Sequence, residues 1–152
     1  MDNPNFNYGY ACLNTELRKA KPPVFTSRTC RKKTFEEKGF DYVKSLAIQN
    51  LKDLLKILEW NVKNNIFFMR ISSEMFPFAS HSEFGYTLEF ADDLLKEIGE
   101  YAKINKFRIT AHPGHYDVLN SIKPDVVKNT IRDLLHHAEI MDRMNLPLQK
   151  TL

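Results

Sequence analysis

From Asp41 to Asn64, apolar residues fall at Val43, Leu46, Ala47, Leu51, Leu54, Leu55, Leu58 and Val62, separated by steps of three, four and one. That spacing traces one helical face and predicts an amphipathic helix. Just upstream, Thr34 and Glu37 have capping-box spacing, so a helical turn is expected there, interrupted by Gly39. After Asn64-Asn65, the run Ile66-Phe67-Phe68-Met69-Arg70-Ile71 is nearly continuously apolar and too short for a helix. It predicts a strand buried on both faces. A second helix is expected after Thr87 as N-cap, with Ala91, Leu94, Leu95, Ile98 and Ala102 as its buried stripe, followed by a strand over Phe107-Arg108-Ile109-Thr110-Ala111. A third helix should run from about Pro124 to Met144, with Val127, Ile131, Leu134, Leu135 and Ala138 on its buried face, and Pro147 should end it. At the start of the chain, Phe6 to Leu13 reads as a short strand leading into a long polar loop that contains proline.

The order strand, helix, strand, helix, strand, helix predicts an α/β fold: a parallel sheet with right-handed crossovers, spread over one domain, residues 1–152. Composition agrees, with 43% hydrophobic and 27% charged residues, the proportions of a globular chain. No stretch is long and apolar enough for a membrane span, and the Met-Asp-Asn-Pro-Asn start lacks the basic and apolar regions of a secretory signal. Cys12 and Cys30 belong to no CxxC pair and read as reduced thiols of an intracellular protein. Net charge is only +3, but Arg18 to Lys38 holds eight basic and two acidic residues, about +6, and leaves the rest near −3. This segment reads either as a solvated face or as a phosphate-tracking surface on which Tyr10, Phe25 or Phe35 stacks on bases.

In parallel α/β sheets the loops after the carboxyl ends of the strands carry the chemistry. Here they hold His81, His112 and His115, three of the five histidines. His112 directly follows a strand, whose rigid backbone would fix its direction; both it and His81 suit either metal ligation or a structural hydrogen bond. His115 reads equally as a third ligand or, with Tyr116, as a surface finger touching a partner. His136 and His137 fall away from the apolar stripe of their helix and are expected on its solvated flank. Carboxylates at the strand ends are scarce, limited to Glu74, Glu83 and Asp117, so the chain supplies only part of a multinuclear metal site.

Several segments together resemble a known family. They are Gly9-Tyr10-Ala11-Cys12-Leu13-Asn14, Phe25-Thr26-Ser27-Arg28-Thr29-Cys30-Arg31, the Gln49 to Asn61 helix, Arg70-Ile71-Ser72-Ser73, Phe76-Pro77-Phe78-Ala79-Ser80-His81 and His112-Pro113-Gly114. In this order, over roughly residues 6 to 144, they resemble the N-terminal part of the UV-damage endonucleases. The resemblance implies a TIM-type (β/α)8 barrel that acts in excision repair, cutting UV-damaged double-stranded DNA 5′ to a photoproduct with divalent metal ions, typically Mn2+. It implies that His81 and His112 are metal ligands and that Tyr10 and Asn14 line the lesion side. The family's lesion-probing pair is Gln-Tyr, whereas this chain has His115-Tyr116.

A (β/α)8 barrel takes about 250 residues, and only about three units are present. A partial barrel is therefore expected, completed by a missing C-terminal half or by self-association, with marginal stability when isolated. Two alternatives stay open: a remnant that binds DNA without cutting it, and a fragment of a sugar-processing barrel.

Overall fold

The computed structural model describes residues 8–146. Three parallel strands, β1 (Gly9–Ala11), β2 (Phe68–Ser72) and β3 (Arg108–His112), form a sheet in the order β1-β2-β3. Between β1 and β2 lie a short helix α1 (Thr15–Arg18) and the long α2 (Lys32–Lys63); α3 (Asp92–Ile104) links β2 to β3, and α4 (Pro124–Arg143) follows β3. Phe6, Asn7 and Pro147 lie outside the described residues, so the expected first strand is seen only from its middle.

The three helix-to-strand or helix-to-loop exits share one device. Asn65, Lys106 and Asn145, each two residues beyond a helix end, adopt positive φ values of 57°, 52° and 49°. Behind α2 the amide of Ile66 donates to the Asn61 carbonyl and that of Asn65 to the Val62 carbonyl. Behind α3, Phe107 donates to Ala102 and Lys106 to Lys103 in the same pattern. These left-handed caps satisfy carbonyls that a helix end leaves open and reverse the chain directly into β2 and β3.

Gly39 breaks α2 as the sequence predicts: with φ 74° and ψ −175° it adopts a conformation that a side chain would strain. The capping box does not form. The first segment of α2 begins at Lys32 behind Arg31, with no side-chain cap, and Thr34 lies inside it. Thr87 likewise does not cap α3, because a 3-10 turn over Glu89–Ala91 intervenes and Ala91 takes the cap position. Pro124 does occupy the first turn of α4.

The core lies on one side of the sheet. Val43, Ala47, Leu51, Leu54 and Leu58 of α2 are buried as their spacing predicts, and all but Val43 join one core with Met69 and Ile71 of β2, Ile109 of β3, and Leu95, Ile98 and Ala102 of α3. Each Val, Leu, Ile or Met among them contributes roughly 1.5–3 kcal/mol on burial, so the packing of α2 and α3 on this one face of the sheet holds the fold. The opposite face is uncovered: Arg70 and Arg108 are exposed and Phe68 is half-buried, which corrects the expectation of a β2 buried on both faces.

The expected face of α4 is also corrected. Thr130, Asp133, His136, His137 and Ile140 are buried, whereas Ile131, Leu135 and Ala138 are exposed. Polar partners explain the reversal. Ser80 Oγ donates to Asp133 Oδ1 at 2.6 Å, the Val118 amide donates to Thr130 Oγ1 at 2.9 Å, and the His136 ring meets Phe76 edge-on at 5.8 Å. A buried polar side chain with its hydrogen bond made costs little, so Thr130 and Asp133 can face inward.

Where α3 and the end of α4 cross, Gly99 lies against the backbone of Met144, and a Cβ there would come within 1.8 Å of the Met144 carbonyl oxygen. Backbone cannot yield as a flexible side chain would. Gly99→Ala is therefore expected to destabilise the fold by about 1–3 kcal/mol. A thermal melt lowered by several degrees is the outcome that checks it, and an unchanged midpoint would refute the close crossing.

Candidate functional site

The carboxyl ends of the three strands open onto three loops. After β1, Cys12 turns the chain with φ 62°, and Asn14 caps α1, its side-chain oxygen accepting from the amides of Glu16 at 3.1 Å and Leu17 at 3.0 Å. The Asn14 amide donates to the Tyr10 hydroxyl at 2.9 Å, and that hydroxyl donates to Asn61 Oδ1 at 2.6 Å. Asn14 is buried and Tyr10 half-buried, on the helix side of the sheet. Burial pushes the Tyr10 hydroxyl above its ordinary value, against the lowering effect of its hydrogen bonds with Asn14 and Asn61. Asn14 thus fixes Tyr10.

In the β2–α3 loop His81 is exposed. Its Nδ1 accepts from the amides of Glu83 at 3.1 Å and Phe84 at 3.3 Å, and its ring lies 4.9 Å from that of Phe84. The local turn needs Gly85, because a Cβ there would come within 2.7 Å of the His81 carbonyl oxygen. Phe84 is also approached by Lys32 Nζ, 4.7 Å from the ring centroid, so the start of α2 stands next to the His81 loop.

His112 is the last residue of β3, paired in register with Ser72, and is half-buried on the uncovered face. Beyond it, His115 and Tyr116 are exposed with rings 5.9 Å apart, and Gly114 makes room for the Tyr116 ring. His81 and Tyr116 meet at a cavity of about 360 Å³, lined also by Ser80, Asp117, Thr130 and Asp133. Tyr10 and Asn14 line a different cavity of about 320 Å³ with Trp60 and Ile66. The structure therefore brings His81 and Tyr116 together and keeps the Tyr10–Asn14 pair apart from them.

Beneath the first cavity lies a polar joint that the hydrophobic pattern conceals. Asp133 accepts from Ser80, the residue before His81, and Asp133 Oδ2 lies 3.3 Å from His137 Nε2. That contact is short but poorly aligned, and the same oxygen, Asp117 Oδ2 and both His137 ring nitrogens are buried without a hydrogen-bond partner among the described residues. Burial and the neighbouring Asp133 carboxylate push Asp117 up to about 6. Burial and the charge of His137 push His136 down to about 4, and burial lowers His137 as well. His136 and His137 are thus buried, not on a solvated flank; the readable signal was the stripe Thr130, Asp133, His137 and Ile140 at spacings of three, four and three.

The aromatic candidates of the basic segment are also differently engaged. Phe35 is buried against Phe40, Phe78 and Phe84, so it offers no face to a base. The guanidinium groups of Arg18 and Arg28 lie 3.6 Å and 3.9 Å from the Phe25 ring centroid. Arg28 in turn pairs with the buried Asp53 at 2.7 Å, and Asn50 accepts from the Arg28 amide. Burial alone would raise the Asp53 carboxyl, but hydrogen bonds from Lys56, Arg28 and the Phe25 amide hold it below its ordinary value. Arg28 is thereby clamped onto α2.

Two imidazoles on neighbouring strand-end loops are suitable donors for a divalent metal, but among the described residues no three His, Cys, Asp or Glu side chains gather closely enough to hold one. The residues present therefore do not close a metal site by themselves. Among the described residues, no helix is long and apolar enough to cross a membrane.

Residues 6–152 match the UV-endonuclease UvdE family. The chain belongs to that family. A UV-damage endonuclease of Schizosaccharomyces pombe is 52% identical over 138 residues, covering 91% of this chain and 23% of the relative. A UV DNA damage endonuclease of Clostridium perfringens is 39% identical, covering 91% of this chain and 32% of the relative. The crystal structure of SacUVDE superposes with a TM-score of 0.81 at 36% identity, covering 91% of this chain and 45% of that one. The sequence expectation of α/β units from a TIM-type barrel holds: this UvdE-family chain is a parallel three-stranded part of that fold, and it spans less than half the length of these relatives.

The polar joint sets a pH signature. His136 and His137 are lowered, so their contribution to stability is present above their ordinary pKa of 6.5 and is lost as pH falls, for His136 toward about 4. Asp117 is raised, so its contribution is present below 3.8 and is lost as pH rises through about 6. The two trends oppose each other between roughly pH 4 and pH 6. Asp117→Asn should steepen the fall in melting temperature on acidification, and His136→Gln should flatten it; superimposable profiles for parent and variants would exclude the joint as their origin.

Proposed function

We propose that this chain supplies the N-terminal part of a UV-damage endonuclease, which hydrolyses the DNA phosphodiester 5′ to a UV photoproduct in double-stranded DNA. The observation that carries the reading is the position of His81 and His112 on adjacent strand-end loops of a chain matched to the UvdE family over residues 6–152. Family names among the relatives are those of endonucleases, which leaves the sugar-processing alternative without support.

In this reading His81 and His112 are two of the ligands of a divalent metal centre, with Mn2+ the proposed ion. When bound, the metal activates a water and stabilises charge on the scissile phosphate. The remaining roles fall to the chain's own residues. Exposed His115 and Tyr116 form the finger that contacts the lesion, where weakened pairing lowers the cost of opening the duplex. Tyr10, fixed by Asn14 and Asn61, borders the β1 loop on the lesion side. Lys32 and its neighbours at the start of α2 track backbone phosphates beside the His81 loop.

A second reading, a DNA-binding piece without cleavage of its own, is favoured by the absence of a third close donor among the described residues. The two readings separate in one assay: nicking of UV-irradiated against undamaged supercoiled DNA with Mn2+. The chain joined to the segment that follows the matched region in the Schizosaccharomyces pombe relative should nick the irradiated DNA preferentially, and His112→Ala should lower that rate by at least about 100-fold. Equal nicking by parent and His112→Ala would overturn the ligand assignment. The 152-residue chain alone should bind DNA with affinity that falls steeply as salt rises.

A further inference from the structure

The two strand-end loops that hold His81 and Tyr116 are built largely from local turns. In the β2–α3 loop the His81 amide donates to the Phe78 carbonyl and the Gly85 amide to the His81 carbonyl, both at 2.9 Å. In the loop after β3 the Asp117 amide donates to the Gly114 carbonyl at 3.0 Å and the Ser121 amide to that of Val118 at 3.3 Å. Such turns set the shape of each loop but not its place relative to the other. Phe78 and Phe84 rest on Phe35 of α2, an apolar contact that holds the first loop down without fixing its direction. Two hydrogen bonds join both loops to a common support, α4: Ser80 Oγ donates to Asp133 Oδ1 at 2.6 Å, one residue before His81, and the Val118 amide donates to Thr130 Oγ1 at 2.9 Å, two residues after Tyr116.

Thr130 and Asp133 stand three residues apart on α4 and are therefore neighbours on one face, with roughly 5–6 Å between Cβ atoms at this spacing. Both are almost fully buried, at 2% and 7% exposure. The helix that carries them is itself tied to the core. Ile140 and Met144 are buried in it, Arg143 pairs with Asp92 of α3, and Gly99 lets the Met144 backbone pass close. A helix so held passes the position of the core to both loops at once. Burial of a carboxyl group is unfavourable unless it is hydrogen-bonded, and the bond from Ser80 has the short length of a hydroxyl donating to a carboxylate, which constrains direction as well as distance.

We infer that Ser80, Asp133 and Thr130 are positioning residues of the site: Asp133, through Ser80, holds His81 in place at the rim of the cavity, and Thr130, through Val118, holds the His115–Tyr116 finger at a set distance from it. The roles of His81 as a metal donor and of Tyr116 as a lesion contact rest on the function proposed above. The coupling of the two loops through α4 rests on the geometry alone. Each bond then governs a different property. Without the Ser80 hydroxyl the His81 side of the cavity is loosened, so a metal ion is held less tightly while the finger keeps its place. Without the Thr130 hydroxyl the finger is loosened while His81 keeps its place. Groups that orient a metal-ligating histidine typically change metal affinity by about 10- to 100-fold, and a support one residue removed from the ligand belongs at the lower end of that range.

Amide hydrogen exchange of the 152-residue chain tests the coupling without metal or DNA. Ser80→Ala should speed exchange of the His81 and Gly85 amides by about tenfold, the effect of one lost hydrogen bond, and leave that of Val118 unchanged; Thr130→Val should do the reverse. Amides of α2 and α3 should keep the parent rates in both, and the hydroxyl-keeping variants Ser80→Thr and Thr130→Ser should behave as the parent. Parent rates in the affected loop, or protection lost evenly through α2 and α3, would overturn the inference. If the chain alone exchanges too fast throughout, the same rates are read in the joined polypeptide used for nicking. There, Ser80→Ala should also raise the Mn2+ concentration at half-maximal rate by about tenfold at unchanged preference for irradiated DNA, and Thr130→Val should cut that preference at unchanged Mn2+ requirement. Identical Mn2+ and damage profiles in a parent that nicks and in its variants would also overturn the inference. A parent that does not nick would count against the proposed function, and the exchange rates would then decide the coupling by themselves.

Discussion

Right-handed crossovers between neighbouring parallel strands deliver every connecting helix to the same side of a three-stranded sheet. That single constraint places the rest of this molecule. α2 and α3 cover one face, the core forms there, and the strand residues alternate strictly between that core and the uncovered face: Met69, Ile71 and Ile109 inward, Phe68, Arg70 and Arg108 outward. The uncovered face in turn carries His112 at its carboxyl end, so the packing that stabilises the chain also decides that its chemistry points the other way.

The left-handed caps at Asn65 and Lys106 make the alternation possible. Each leads a helix into the next strand over a linker of no more than four residues, which fixes the strand's phase against the helix that precedes it. A slip by one residue would exchange Met69 and Ile71 for Phe68 and Arg70 against α2, and a guanidinium would then enter the core. Phase is therefore protected by the helix ends as much as by the hydrophobic pattern.

Where local pattern and tertiary role coincide, the sequence is legible. α2, α3 and the kink at Gly39 follow from apolar spacing and from one residue's backbone freedom, and the strand-end placement of His81 and His112 follows from element order. The buried face of α4 departs from its apolar spacing because hydrophobic periodicity measures which stripe would prefer burial, not which stripe finds partners. Ile131 and Leu135 prefer burial, yet Thr130 and Asp133 receive hydrogen bonds from Val118 and Ser80, contacts made across 12 and 53 residues that no local window contains. β2 differs for a related reason: a nearly continuous apolar run implies two covered faces, whereas Phe68 and Arg70 lie on a face that no helix of the described residues covers. The direction of Tyr10 was not legible at all, since its partner Asn61 is 51 residues away.

The same reasoning joins the polar joint to the site above it. Asp133 accepts from Ser80, which precedes His81, and Thr130 accepts from the amide of Val118, two residues beyond Tyr116, so α4 braces the loops of both β2 and β3 through two hydrogen bonds. Such a brace is useful only if the two loops must keep a fixed separation, as loops presenting a metal donor and a lesion-contacting finger would. An apolar contact at that place would have been simpler to stabilise, but it would not fix distance and direction as a short Ser80–Asp133 hydrogen bond does. The polar stripe that sets α4 apart from its hydrophobic periodicity is thus the stripe that positions the two strand-end loops.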